Sequence, residues 1–120
     1  MTVSIYFESP NLAVFHGSGV LTREEVDEAK HVLHEHMMKH GPMRVMIQID
    51  PDFQNLEAFA QWNDIELDMD IQKHVTRMAI VGNLRWRDSA LLFFISAVSQ
   101  FPMEFFSADH EVLARAWLES

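Results

Sequence analysis

The chain has 120 residues, with 18 acidic against 9 basic side chains and a net charge of −9. This charge argues against binding to nucleic acid or to an anionic membrane surface, because both need clustered Lys and Arg. A hydrophobic content of 48% excludes a disordered chain, and the absence of Cys excludes disulfides, a thiol nucleophile and cysteine-ligated metals.

The predicted elements begin with two strands and a helix. Val3, Ile5 and Phe7 alternate with polar side chains over residues 2–7, and Leu12, Val14 and His16 alternate with Ala13 and Phe15. These two stretches predict a β-hairpin. Thr22 lies three residues before Glu25, a capping-box spacing that predicts a helix from there to about Lys39, where Gly41-Pro42 should stop it. The next strands are predicted over 44–50, 74–81 and 101–106. Two further helices are predicted over 55–71 and 84–99, and Ser107 or Asp109 caps a final helix that ends near Leu118.

This order predicts one α/β domain over residues 1–120, with a mixed sheet of about five strands, an N-terminal hairpin and four helices. Gln48, Arg77 and Glu104 interrupt three successive strands. Strands covered on both faces are nearly all apolar, so helices should cover one face of the sheet well and the other less completely. The second face would then be open to a partner or to the second subunit of a dimer.

Four stretches carry a resemblance to a known family: residues 17–22 before the first helix, Asp52-Phe53 after a strand, Trp62 in an acidic helix, and 80–86 at the end of another strand. Their order and spacing resemble the SpoIIAA-like family of small bacterial proteins, grouped with STAS and CRAL-TRIO domains. The resemblance covers nearly the whole chain. It implies a compact β/α superhelix, often a homodimer, and it does not imply an enzyme.

The resemblance does not extend to the regulatory serine of STAS anti-sigma-factor antagonists. In those proteins a Ser at the start of the second helix is phosphorylated to switch partner binding. The corresponding loop here, residues 50–55, contains neither Ser nor Thr. The phosphorylation switch is therefore not expected in this chain.

The second and third predicted helices carry more apolar residues than a surface helix with a single side facing the core. Trp62, Ile65 and Met69 recur at i, i+3 and i+7, roughly opposite the core-facing stripe of their helix. The third helix is apolar almost all round, yet it is too short to span a bilayer. These side chains either pack within the chain or form a homodimer interface, a ligand groove or a surface for another partner. The predicted surface comprises Trp62, Ile65, Met69, Leu91, Phe94 and Ile95.

Four histidines lie on the first predicted helix: His31, His34, His36 and His40. The helical spacing places them on two sides, so they cannot share one ion. His36 and His40 form at most half of a metal site, which His16 or an acidic residue would complete. The alternative is a solvated cluster favoured by the helix C-terminus. We expect no metal, no cofactor and no catalytic residue.

The leading hypothesis is a non-catalytic protein-interaction or ligand-binding module that acts as a homodimer. The alternative is a module that binds a small apolar or lipid-like ligand in a groove between the second and third helices. A metal-dependent or hydrolytic enzyme using His16, His36 or His40 is the least favoured. The first residues show neither a basic start nor a long apolar run, so we expect no signal peptide and a cytoplasmic location.

Overall fold

The structure, a computed structural model, describes residues 3–19, 22–53, 65–86 and 101–120. The strands are β1 Val3–Ser9, β2 Leu12–Gly17, β3 Met43–Ile49, β4 Val75–Gly82 and β5 Met103–Ser107. The α-helices of the described residues are α1 Arg23–His40, α2 Ile65–His74 and α3 Glu111–Glu119, with short 3-10 turns at Leu84–Trp86 and Ala108–His110.

The five strands form one sheet in the order β1-β2-β3-β4-β5. The first pair is antiparallel and every later pair is parallel. The tight turn between the first two strands is closed by the Ser9 hydroxyl, which donates to Asn11 Oδ1 at 2.8 Å. The mixed sheet led by a hairpin is confirmed.

The signals at both ends of α1 act as the sequence predicts. The Thr22 hydroxyl accepts from the backbone N–H of Glu25 at 3.3 Å, which satisfies one of the free donors of the first turn. At the other end Gly41 has a φ of +85°, a conformation that disfavours any residue with a Cβ. Its N–H donates to the carbonyl of Met37 at 2.7 Å and ends the helix there.

Several predicted boundaries were wrong. His74 ends α2 instead of starting a strand, because its ring Nδ1 donates to the Asp70 carbonyl in the last turn at 2.8 Å. The last strand starts at Met103, two residues later than predicted, and a 3-10 turn precedes α3. Of the helix predicted over 84–99, only the start is described, and it is a 3-10 turn; the rest lies outside the described residues. The described part of the chain thus holds three α-helices where four were predicted.

Two hydrophobic cores lie on opposite faces of the sheet. The larger lies under α1 and α2, whose inward residues Val26, Ala29, Leu33, Met37 and Ile71 are buried against β3 and β4. On the other face Ala114 and Leu118 of α3 cover Val14, Met46, Ala79 and Val81. The second face is less completely covered, since Ser4, Tyr6 and Glu8 of β1 are exposed there. In the described part of the chain, no helix is long and apolar enough to cross a membrane.

Candidate functional site

Two apolar side chains of α2 differ in their exposure. Ile71 is 8% exposed and belongs to the larger core, whereas Met69 is 50% exposed. Met69 and Ile71 are two positions apart, which corresponds to about 200° around the helix axis. Met69 therefore faces away from the core. Ile65, the first residue of α2, precedes Met69 by about one helical turn. An outward apolar position on this helix is what the sequence spacing predicted.

The remaining residues of the predicted surface lie outside the described part of the chain: Trp62, Leu91, Phe94 and Ile95. The groove proposed between the second and third helices lies largely there as well. The candidate site that the structure describes is therefore the outward side of α2, with Met69 as its exposed apolar side chain.

A polar contact next to Met69 ties α2 to α1. His34 Nε2 donates to Asp70 Oδ2 at 2.5 Å, with both side chains partly exposed. This hydrogen bond holds the pKa of Asp70 below its ordinary value, so the carboxylate stays charged and keeps its partner. The contact lies at the residue next to Met69 and joins α2 to α1 there.

The histidines near the end of α1 have structural contacts. The ring of His36 stacks on Phe7, with centroids 3.7 Å apart, and its Nε2 donates to the carbonyl of Pro10 at 3.0 Å. His40 lies beside it, at 4.3 Å between centroids. His16 instead contacts the Asp50 carboxylate at the opposite end of the sheet. The structure does not bring His16 together with His36 and His40, and within its described ranges it holds no group of three His, Asp or Glu residues placed to bind a metal.

The second face of the sheet holds a network that the sequence did not predict. Arg115 of α3 forms a bidentate contact with the carboxylate of Glu8, in which Nη2 donates to Oε1 at 2.8 Å. Its Nε donates to the Glu111 carboxylate at 3.1 Å. Gln48 donates to the other oxygen of Glu111 at 2.7 Å. The Arg115 guanidinium lowers the pKa of Glu8, and the two carboxylates raise the pKa of Arg115. These contacts fasten α3 to β1 and β3.

Arg77 fastens the other end of α3. Its Nη1 donates to the carbonyl of Trp117 at 2.6 Å and to the Ser120 hydroxyl at 2.5 Å, and its guanidinium lies 5.3 Å from the centre of the Trp117 ring. A cation at a helix C-terminus is favourable because the last carbonyls carry partial negative charge. Gln48 and Arg77, the polar residues expected to mark an open face, are thus the groups that hold a helix there.

Comparison with known proteins adds two similarities. The model of the SpoIIAA-like family matches residues 12–119 of the chain. The crystal structure of an uncharacterized protein with a SpoIIAA-like fold from Shewanella loihica PV-4 is similar with a TM-score of 0.63 and 21% identity, covering 97% of this chain and 91% of that one. This likeness shows the fold alone. Among curated proteins, none matches.

Proposed function

This chain belongs to the SpoIIAA-like family, and on that premise we propose that it is a non-catalytic cytoplasmic interaction module that forms a homodimer through the outward side of α2. The observation that carries the proposal is the exposure of Met69 on the side of α2 opposite the buried Ile71. A surface helix normally has one apolar side. A second one is typical of a helix that contacts another molecule.

The chemistry of Met69 suits an interface. Methionine is unbranched and flexible, so it adapts its shape to an opposing surface, and it is enriched in the buried centre of protein interfaces. Covering apolar surface stabilises a complex by about 25 cal/mol per Å² removed from water. By the sequence spacing, Trp62 and Ile65 are predicted on the same line as Met69, and they would enlarge the covered area.

The tie between α1 and α2 supports binding at this position. The hydrogen bond between His34 and Asp70 adds to the core contacts that position α2 before any partner arrives. A surface that is already ordered loses less conformational entropy on association. The His34–Asp70 contact would therefore act as a positioning pair for the interface, not as part of it.

The charged residues of the described part favour a binding role over a catalytic one. Asp70 is engaged with His34, Glu8 and Glu111 with Arg115, and His16 with Asp50. Catalysis by carboxylates or histidines needs such groups directed at a common cleft with contrasting proton affinities. Here they are engaged with each other, and all but the Glu111–Arg115 pair join different parts of the fold.

Light scattering coupled to size-exclusion chromatography tests the proposal. The parent protein should run as a dimer, and Met69→Glu should weaken dimerisation by about tenfold or more, because it places a charge in the apolar interface. The matched control is Leu113→Glu, a change of similar exposure on the opposite face of the sheet, which should leave the dimer intact. A monomeric parent, or equal loss in both variants, would contradict the proposal.

A second variant extends the test beyond the described residues. Trp62→Glu should also give monomers, because Trp62 precedes Met69 by seven positions on the predicted helix. If Met69→Glu dissociates the dimer while Trp62→Glu does not, the interface follows α2 but excludes the tryptophan. If neither variant dissociates a parent that is dimeric, the outward side of α2 is not the interface.

A further inference from the structure

The outward side of α3 is apolar as well. Ala114 and Leu118 are buried under the helix, whereas Val112 is 79% and Leu113 is 55% exposed. Ala116 is exposed too, and the helical spacing places it between the other two. We call Val112, Leu113 and Ala116 the outer stripe of α3. Three neighbouring apolar residues in water are unusual for a helix whose other side already covers a core.

The outer stripe cannot turn inward. Arg115 joins α3 to Glu8 of β1, and Arg77 holds the Trp117 carbonyl at the end of the helix. Rotating α3 to bury Val112 or Leu113 would break both contacts and would expose Leu118. The stripe is therefore a fixed feature of the surface.

The segment that carries the stripe is mostly negative, and Arg77 of β4, at the C-terminal end of α3, is engaged with Trp117 and Ser120. Residues 104–120 contain four acidic side chains and one arginine, and that arginine, Arg115, is already engaged by two carboxylates. Glu104, Asp109 and Glu119 are exposed. The Ser107 hydroxyl donates to the Asp109 carboxylate at 2.7 Å and helps to keep the pKa of Asp109 low, so that this group stays charged.

This combination selects among possible occupants. A second copy docked stripe against stripe would place the acidic residues of the segment 104–120 against their own counterparts, which is unfavourable. A basic segment would instead find aliphatic contacts on the stripe and carboxylates beside it. We propose that the outer stripe of α3 docks an amphipathic segment of another protein, one with aliphatic side chains flanked by Lys or Arg. The surface lies across the sheet from Met69, so it is independent of the proposed homodimer.

Titration of the isotope-labelled protein with synthetic peptides, followed by NMR, tests the proposal. The probe is an amphipathic helix of leucine and lysine about 15 residues long, a length at which an isolated helix begins to be stable. It should shift the amide resonances of residues 111–119 most. Two matched peptides, one with glutamate for lysine and one with serine for leucine, should bind at least about tenfold more weakly.

Variants separate this surface from the rest of the molecule. The double change Val112→Ser with Leu113→Ser removes the apolar contacts without touching Arg115 or Leu118, and it should weaken the leucine–lysine peptide by about tenfold. Met69→Ser, on the opposite face, should leave the affinity unchanged. Equal binding by the lysine–serine peptide, or shifts confined to α1 and α2, would overturn the proposal. Dissociation of a homodimer by the Val112→Ser, Leu113→Ser double variant would also overturn it, because the outer stripe would then bind a second copy of the chain.

Discussion

The two faces of the sheet carry helices that are held in different ways. Under α1 and α2, a continuous apolar core runs from Val26 to Phe53 and Ile80, and the hydrogen bond between His34 and Asp70 is a partly exposed addition to it. Over the other face, α3 has nine residues and buries only Ala114 and Leu118. Its position depends on charged and polar contacts at both of its ends.

This difference shows how a short helix can be docked with little apolar surface. Two buried side chains and the partly buried Trp117 give α3 a small apolar contact for a helix of nine residues. Arg115 and Arg77 add directional contacts that define where the helix lies. The first face should therefore respond most to truncation of buried side chains, and the second also to charge, salt and pH.

Truncating Phe53 should have the largest effect. Phe53 is the largest of the fully buried side chains and packs edge-on to Trp86, with ring centroids 5.4 Å apart. Phe53→Ala leaves a cavity and should lower the free energy of unfolding by about 3–5 kcal/mol in urea denaturation. The exposed Leu84→Ala serves as control and should change it by less than about 0.5 kcal/mol. If Phe53→Ala lowers the free energy of unfolding less than Leu118→Ala does, the face under α3 contributes more to stability than the face under α1 and α2.

Leu118→Ala should have the next largest effect. It removes the larger of the two buried side chains of α3 and should cost about 2 kcal/mol, near the lower end for such changes, because the short helix can shift into the space. Hydrogen exchange should show faster exchange at the amides of α3 and little change in α1. Uniformly faster exchange in both helices would mean that the two faces unfold together and that α3 is not a separate unit.

Much of this fold was predictable because its signals are local. The alternation in β1, the cap at Thr22 and the stop at Gly41 each act within a few residues. The outward direction of Met69 followed from helical spacing in the same way. The partners of the polar strand residues were not predictable, since Arg115 and Glu8 lie 107 positions apart and meet only because the sheet brings β1 under α3.

Removing the charge of Arg115 should have a smaller effect, which depends on salt and pH. Arg115→Met leaves Glu8 and Glu111 without their cation and should cost about 1 kcal/mol, because the pair is partly exposed. The pKa of Glu8 is lowered by Arg115, so this contribution is present above the ordinary value of 4.5 and is lost as the pH falls through the lowered one.

The control for Arg115→Met is Lys39→Met, which removes an exposed ion pair with Glu35 at 3.8 Å. That change should leave the free energy of unfolding nearly unaltered, since exposed pairs within a helix contribute little. Chemical denaturation at neutral and at acidic pH, in low and in high salt, measures both variants. A loss in Arg115→Met that persists in acid would show that the packing of its aliphatic part, and not its charge, secures α3.

The smallest effect on stability is expected from weakening the hydrogen bond between His34 and Asp70, which joins α1 to α2. Asp70→Asn keeps an acceptor for His34 but removes the charge, so the melting temperature at neutral pH should fall slightly. The pKa of Asp70 is lowered by its hydrogen bond from His34, so the charge stabilises the fold above the ordinary value of 3.8, and the difference from the parent should close as acid protonates the group. In a His34→Gln background, the same substitution should have no further effect, because the pair acts as a unit. The contradicting result is a loss in melting temperature that depends neither on pH nor on the presence of His34. Asp70 would then act at the end of the helix beside His74, and the core contacts alone would orient α2.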